Sequence, residues 1–553
     1  MKNLVKTVIF CMVGMLLLGK TEDILSLKMN SLGSLEDFNR TFQQFYQLER
    51  NSLQAVFLGK STIKWAVSPI QIYKDSNIAT YNLATNKQPI QASYYLLKEV
   101  FKNQSPEIVF CDISALFENT EEDPAWHIVM DNTPMSRNKV SEAISLAGRK
   151  ANGKDLRSLS KSFMSIMSPL YFYHNRWDGL VHSDFCKPAN PDFDYAAGYY
   201  MTSAVTGTGL TVENVNSEVR ALEDSKGFKQ EYCSGIYEEY EITDRLYQIT
   251  PNRDAIEYMT KMKELCKMHN AQLVMTKIPT IGMPQIYYAS WSYDKYEMAK
   301  KVCDEIGVAF LDMVYDETYR VEIDWKKDVI DGGQHFNIRG TEKITECIAM
   351  YCEQLGLEKQ INEYYWQCAE EYDKVKRICM LQSEFDFSKY INRLMENDDY
   401  TVIIAAQNDF QASLTEEIIQ SMRHLGLQSC YDDGVRNSYI GIMDHKEIVY
   451  EVISNRKSEY ANSLPGGGKI EVISSGLNTG ANASIKINGK EYSTNLCGLN
   501  FVVFDNSTNL VIDSVNFNTS VPGATGYRNK TVISDYLCQY KRAVVSDVTK
   551  DMK

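Results

Sequence analysis

Apolar residues along this chain follow two different periods, and the two alternate. Short apolar runs of strand type lie at 55–58, 79–83, 107–113, 272–277 and 308–313. Stretches with apolar positions three and four residues apart lie at 91–102, 253–269, 293–306 and 341–355. Strands that alternate with helices predict a parallel sheet covered on both sides, a three-layer α/β/α sandwich of flavodoxin-like type over 40–357. The connection from 114 to 271 is far longer than a crossover needs and reads as an insertion. It holds helical patterns at 138–151 and 155–167 and then the aromatic run Tyr171-Phe172-Tyr173-His174-Asn175-Arg176-Trp177. Residues 358–382 are charged and helical, a spacer. A second unit, 383–545, carries helical patterns at 385–394 and 414–425 and strand patterns at 400–406, 438–443, 469–475, 483–487, 499–504 and 510–517, with Asn488-Gly489 as a tight hairpin turn. It reads as an α+β domain without a nucleophile, base or metal constellation, a binding or structural module.

The first strand breaks at Gly59 and is followed by Ser61. Glycine permits a sharp turn at the carboxyl end of a parallel strand, where the ligand crevice of such sheets lies, so Ser61 is placed as a nucleophile. Far downstream, Asp331-Gly332-Gly333-Gln334-His335 precedes a helical segment. Histidine is the side chain suited to proton transfer near neutral pH, and an aspartate one turn away can orient it; Ser61, His335 and Asp331 are the predicted nucleophile, base and orienter. The loop 82–89 and Asp112 would converge on the same sheet end. Asn86 and Gln88 offer amide donors for an oxyanion, or simply form a polar turn. Aromatics interleaved with His174 and Arg176 suit a pocket for a sugar ring or acyl donor, with His174, Arg176 and Trp177 as its candidates, or a helix packed by its own aromatics.

The Gly59-Lys60-Ser61-Thr62 and Asp331 to His335 blocks together resemble those of the SGNH (GDSL-like) hydrolase and acyltransferase superfamily. The chain looks most similar to its membrane-anchored bacterial branch, which includes the alginate O-acetylation and teichoic acid D-alanylation proteins. That resemblance implies a backbone oxyanion donor at Ala84, where the family usually has glycine. It also implies a substrate role for the Tyr-His-x-Arg-Trp run. The chain departs from the pattern in Lys60 and Thr62, in the four-residue step from Asp331 to His335, and in lacking an asparagine after Ile108-Val109-Phe110-Cys111-Asp112. The second unit, through 473–477, 487–489, 498–505 and 513–519, resembles the interleukin-like EMT inducer domain with its pieces circularly permuted, which implies a carbohydrate-directed role.

At the amino end, a basic start at Lys2 and Lys6 precedes an uncharged apolar run, 7–19. Segment 1–20 reads as a signal peptide or, more in keeping with the absence of an Ala-x-Ala site, a signal anchor. The chemistry would then lie on the extracellular face of the cell membrane, or in a secreted protein if the segment is cleaved. The net charge of −14 argues against nucleic acid as a partner. The 13 cysteines have no zinc spacing, Cys111, Cys266, Cys303 and Cys347 falling in apolar segments as buried thiols; no metal or cofactor is expected. The expected function is that of an extracytoplasmic serine acyltransferase or esterase acting on O-acyl groups, acetyl foremost, of a cell-surface polysaccharide, with a membrane acyl-donor transporter as a partner if it transfers. The alternative is a catalytically inactive surface protein of the same fold that binds glycan or protein.

Overall fold

The computed structural model describes residues 2–25, 29–30, 33–117, 123–151, 155–180, 185, 196–203, 251–280, 293–330, 333–357, 359–429, 431, 434–464 and 468–529. The chain divides into two compact units, Met1–Asp373 and Lys374–Lys553.

Unit 1 is built on five parallel strands: β1 (Ala55–Leu58), β2 (Thr80–Asn82), β3 (Ile108–Asp112), β4 (Gln272–Lys277) and β5 (Ala309–Asp312), in the order β2-β1-β3-β4-β5. All five runs named from the sequence pattern form this one sheet. Every residue of β1, β2 and β3 is buried, as a sheet covered on both faces requires. Phe57 stacks on its register partner Phe110 with ring centroids 4.8 Å apart. On the same face Val274, Leu311 and Met313 pack against Ile344, Ile348 and Cys352 of the helix Ile338–Gln354.

The order β2-β1-β3 places the end of β1 between two neighbours, which frame the segment after Leu58. That segment turns into α1 (Ser61–Lys64) and then α2 (Pro69–Ser76). Helix α2 is started by Ser68, whose side chain accepts from Gln71 N, with Pro69 at the first position, and is stopped by Asn77 at φ +55°. Helix α3 (Ile338–Gln354) is capped by Asn337, whose side chain accepts from the N–H groups of Arg339 and Gly340. The insertion carries helices Asp123–Asn132, Arg137–Ala151, Leu156–Met167 and Pro169–Tyr173. The helix Glu363–Gln382 is not solely a charged spacer. Tyr365, Cys368 and Tyr372 are buried, Tyr365 Oη donates to Thr80 O, and Ser68 Oγ donates to Tyr372 Oη at 2.8 Å. The amino-terminal helix spans Lys2–Leu25 and exposes Phe10, Met15, Leu16 and Leu17; among the described residues no helix is long and apolar enough to cross a membrane.

Unit 2 is a ten-stranded sheet in which the strand Tyr400–Asn408 is central. It pairs antiparallel with Ser438–Asp444 and Gly498–Asp505 and, over two residues, parallel with Lys469–Gly476. Ile403, Ile440, Val472, Ile485 and Val502 form one core, while Phe387 and Tyr390 of the helix Phe387–Leu394 pack edge-on against Phe501 on the other face. Asn488 and Gly489, both at positive φ, make the expected turn between Ile487 and Lys490. The sequence pattern does not show the hairpin between Ser438–Asp444 and Glu447–Ser454, because its turn uses His445 and Lys446 at φ +49° and +64° in place of Asn-Gly.

Candidate active site

The carboxyl end of β1 turns at Gly59, with φ +142°, and Thr85 N donates to its carbonyl at 3.0 Å. A Cβ on Gly59 would lie 2.4 Å from Asp112 Cβ, so the close approach of β1 to β3 admits no side chain there. Two residues on, Ser61 opens α1 and is half-buried. In the first turn of a helix the N–H groups have no intrahelical acceptor, and Ser61 N–H stands in that turn.

The helix is held from below by Asn82 at the end of β2. Its fully buried amide donates to Ile63 O and Val67 O at 3.1 Å each and accepts from Ala84 N at 3.1 Å. It is held from the side by α3: Thr341 Oγ1 donates to Trp65 O at 2.9 Å, and Thr345 Oγ1 accepts from Ser68 N at 3.1 Å.

His335 does not sit on an open loop. It begins a two-residue strand that pairs antiparallel with Val329–Ile330, Ile330 opposite His335, and Asn337 starts α3 directly afterwards. Gly340 accommodates this tight entry, since a Cβ there would meet Asp328 O and Phe336 Cδ1 at 2.5 Å. His335 Nε2 lies 2.7 Å from Ser61 Oγ, across 274 residues of sequence. For Nε2 to accept the serine proton, the ring hydrogen is on Nδ1. The His335 ring also lies against Trp65, centroids 5.0 Å apart, and Trp65 stacks on Tyr200 at 4.4 Å. Asp331 lies outside the described residues. The nearby Asp328 has other work: it accepts from Lys343 Nζ at 2.6 Å and from Asp324 N at 2.8 Å.

Two of the oxyanion candidates have other roles. Ala84 N–H is taken by Asn82 Oδ1 and the residue is buried. Gln88, also buried, accepts from Thr85 Oγ1 at 3.0 Å and donates to Ser93 Oγ at 2.9 Å, so it braces its own loop. Asn86 is half-buried in that loop. The aromatic run of the insertion also has other partners. Arg176 donates to Leu25 O at 2.5 Å, His174 Nδ1 faces Tyr171 O at 2.6 Å, and Trp177 is 71% exposed. Among the described contacts none brings these three to Ser61. A different part of the insertion, 196–203, reaches the site and contributes Tyr200.

Cys111, register partner of Leu58, is a poor rival nucleophile, because burial pushes its thiol well above the ordinary range. Asp112 Oδ1 accepts from Ser114 N and Oγ at 2.9 and 2.7 Å and so caps the turn after β3.

No protein-family model matches the chain, and no curated protein matches it. Among solved structures, a GDSL-like lipase from Bacteroides thetaiotaomicron is 10% identical. The match covers 58% of this chain and 100% of that one, with a TM-score of 0.26. A Bacteroides fragilis protein described as an acylhydrolase is 12% identical over 57% of this chain and 94% of its own, with a TM-score of 0.25.

Proposed function

We propose that unit 1 is a serine esterase or acyltransferase. The observation that carries this reading is the 2.7 Å contact between His335 Nε2 and Ser61 Oγ at the carboxyl end of a parallel sheet. In the reaction Ser61 Oγ attacks the ester carbonyl carbon while its proton passes to His335 Nε2. The tetrahedral oxyanion forms beside the Ser61 N–H, and collapse expels the alcohol, which takes the proton from His335. The acyl group now rests on Ser61 as an ester. His335 then deprotonates water, giving hydrolysis, or an acceptor hydroxyl, giving transfer. Asp331, four residues ahead of His335, is the proposed orienter of the ring.

The finer reading is that the acyl group is acetyl and the alcohol belongs to a cell-surface polysaccharide outside the cytoplasm. The basic start and apolar run of segment 1–20 support export, and the resemblance of the two sequence blocks supports the O-acyl chemistry. Under transfer, a membrane transporter supplies the acyl donor; unit 2, by its own resemblance, holds the glycan.

A fluorophosphonate probe tests the core of the proposal. The full chain is expected to be labelled at Ser61, and Ser61→Ala or His335→Ala to abolish labelling, since loss of a nucleophile or its base costs several powers of ten in rate, roughly 10⁴ or more. Undiminished labelling of Ser61→Ala would show the nucleophile to be elsewhere.

A further inference from the structure

The helix Leu156–Met167 of the insertion is amphipathic, yet its apolar side is not the side it buries. Leu156, Leu159, Phe163, Ile166 and Met167 fall on one stripe at about 3.6 residues per turn. Of these Ile166 alone is buried; Leu159, Phe163 and Met167 are half-exposed, and Leu156 is 82% exposed. Met164, at the edge of the stripe, is exposed as well. The rest of the helix consists of serines and two exposed cations, Arg157 and Lys161, one turn apart beside Met164. Among the described residues neither cation is paired with an acid. The helix itself has no acid, and over 137–167 the chain carries seven basic residues against two acidic ones, within a chain of net charge −14.

The insertion continues through Pro169–Tyr173 into the turn His174–Asp178, where Trp177 stands in solvent. From the same turn Arg176 donates to Leu25 O at 2.5 Å and so joins the insertion to the end of the amino-terminal helix Lys2–Leu25. That helix exposes Phe10, Met12, Val13, Met15, Leu16 and Leu18, which together go round its whole circumference. A protein groove covers a helix along one stripe; an apolar surface exposed all round is suited to lipid. Exposed apolar residues gathered on linked elements, with cations beside them, mark a contact surface.

We infer that the helix Leu156–Met167 is an interfacial contact for an anionic lipid bilayer. Leu156, Phe163 and Met164 enter the boundary between headgroups and acyl chains, Arg157 and Lys161 meet the lipid phosphates, and Trp177 sits at headgroup level. The export reading of segment 1–20 brings a membrane near the chain but gives the insertion no part in it; the insertion's part follows from its own exposure and charge. Two points of attachment also fix how unit 1 stands on the surface, since a single helix leaves it free to swivel.

The test is hydrogen exchange of the full chain, read peptide by peptide, in buffer and with vesicles of phosphatidylcholine with or without phosphatidylglycerol. The amides of Leu156–Met167 are expected to exchange about tenfold more slowly on the anionic vesicles than in buffer, with most of the slowing lost on the neutral ones and in high salt. Arg157→Gln/Lys161→Gln should lower the affinity for anionic vesicles, read by sedimentation, about 25-fold, at about fivefold for each charge removed. Lys457→Gln/Lys469→Gln, the same charge change at exposed sites of unit 2, should leave that affinity where it was. Leu156→Glu, at a site too exposed to disturb folding, should abolish the slowing. Unchanged exchange of Leu156–Met167 on anionic vesicles would overturn the inference, and so would slowing that is equal on neutral lipid and in the Arg157→Gln/Lys161→Gln chain. Slowing at Leu156–Met167 with Lys2–Leu25 unaffected would keep the interfacial helix and sink the membrane reading of segment 1–20. Slowing at Lys2–Leu25 alone would do the reverse.

Discussion

Gly59→Ala is the sharpest probe of how the sheet presents Ser61. At φ +142° the backbone of residue 59 is in a region that glycine alone occupies comfortably, and an alanine held there is strained by about 1–3 kcal/mol. The added methyl would also stand 2.4 Å from Asp112 Cβ, 3.2 Å from Asp112 N and 3.3 Å from Ile63 Cδ1. Carbon atoms in contact sit at roughly 3.5–4.0 Å, so β1 and β3 must part by about 1 Å. Overpacking of that kind costs about 1–3 kcal/mol more. The sum, about 2–6 kcal/mol, is a large share of the stability of a domain. The displacement is passed directly to Ser61, two residues on, and a misplacement of about 1 Å lowers reactivity on the order of 10²-fold. Urea unfolding gives the first quantity and the rate of fluorophosphonate labelling in the folded baseline the second. Asp112→Gly in the same background separates the two causes, because it removes the clashing Cβ but not the backbone strain; the double variant should recover about 1–3 kcal/mol relative to the additive expectation. A Gly59→Ala chain that unfolds within about 0.5 kcal/mol of wild type and labels at the wild-type rate would refute the packing argument and the placement of Ser61 with it.

Burial sets two more expected outcomes. In unit 2, Arg528 Nε reaches both oxygens of Asp513 at 3.2 and 3.3 Å, Asp513 is fully buried, and the guanidinium lies 4.9 Å from the Phe385 ring. Arg528→Met takes the guanidinium away from a buried carboxylate, leaving it the hydrogen bond from Ser514 N, and should cost about 3–5 kcal/mol, read as faster hydrogen exchange of the amides of Leu510–Phe517; unchanged exchange would contradict it. In unit 1, burial pushes the thiols of Cys266, Cys303, Cys347 and Cys352 up to about 12. Their unfolded values are near 8.5, so the stabilisation is complete below that pH and is lost as pH rises through 12, at about 1.4 kcal/mol per unit for each thiol. The urea midpoint should fall between pH 8 and pH 10, and a flat midpoint would mean these thiols are open to solvent.

The parallel sheet was legible in the sequence because strands such as Ala55–Leu58 and Ile108–Cys111, apolar on both faces, alternate with helical segments and are incompatible with an arrangement that wets one face. Ser61 and His335 were legible as chemical types at strand and helix boundaries. Their meeting at 2.7 Å was decided only by the fold, since nothing local links residues 274 positions apart. Hydrogen-bond vacancy is likewise a tertiary property. Ala84 looks like an oxyanion donor until Asn82 Oδ1 is found to occupy its N–H, and Gln88 looks available until Thr85 and Ser93 are found around it. The insertion shows the same limit from the other side. The pattern of His174, Arg176 and Trp177 is the more conspicuous in sequence, yet the structure brings Tyr200 to the site, through the backbone carbonyls of Ala197, Gly198 and Thr202, which accept from Asn82 N, Lys64 Nζ and Ile338 N. Periodicity reports that a residue is covered; which residue covers it, and which donor is left over, depends on contacts between distant segments.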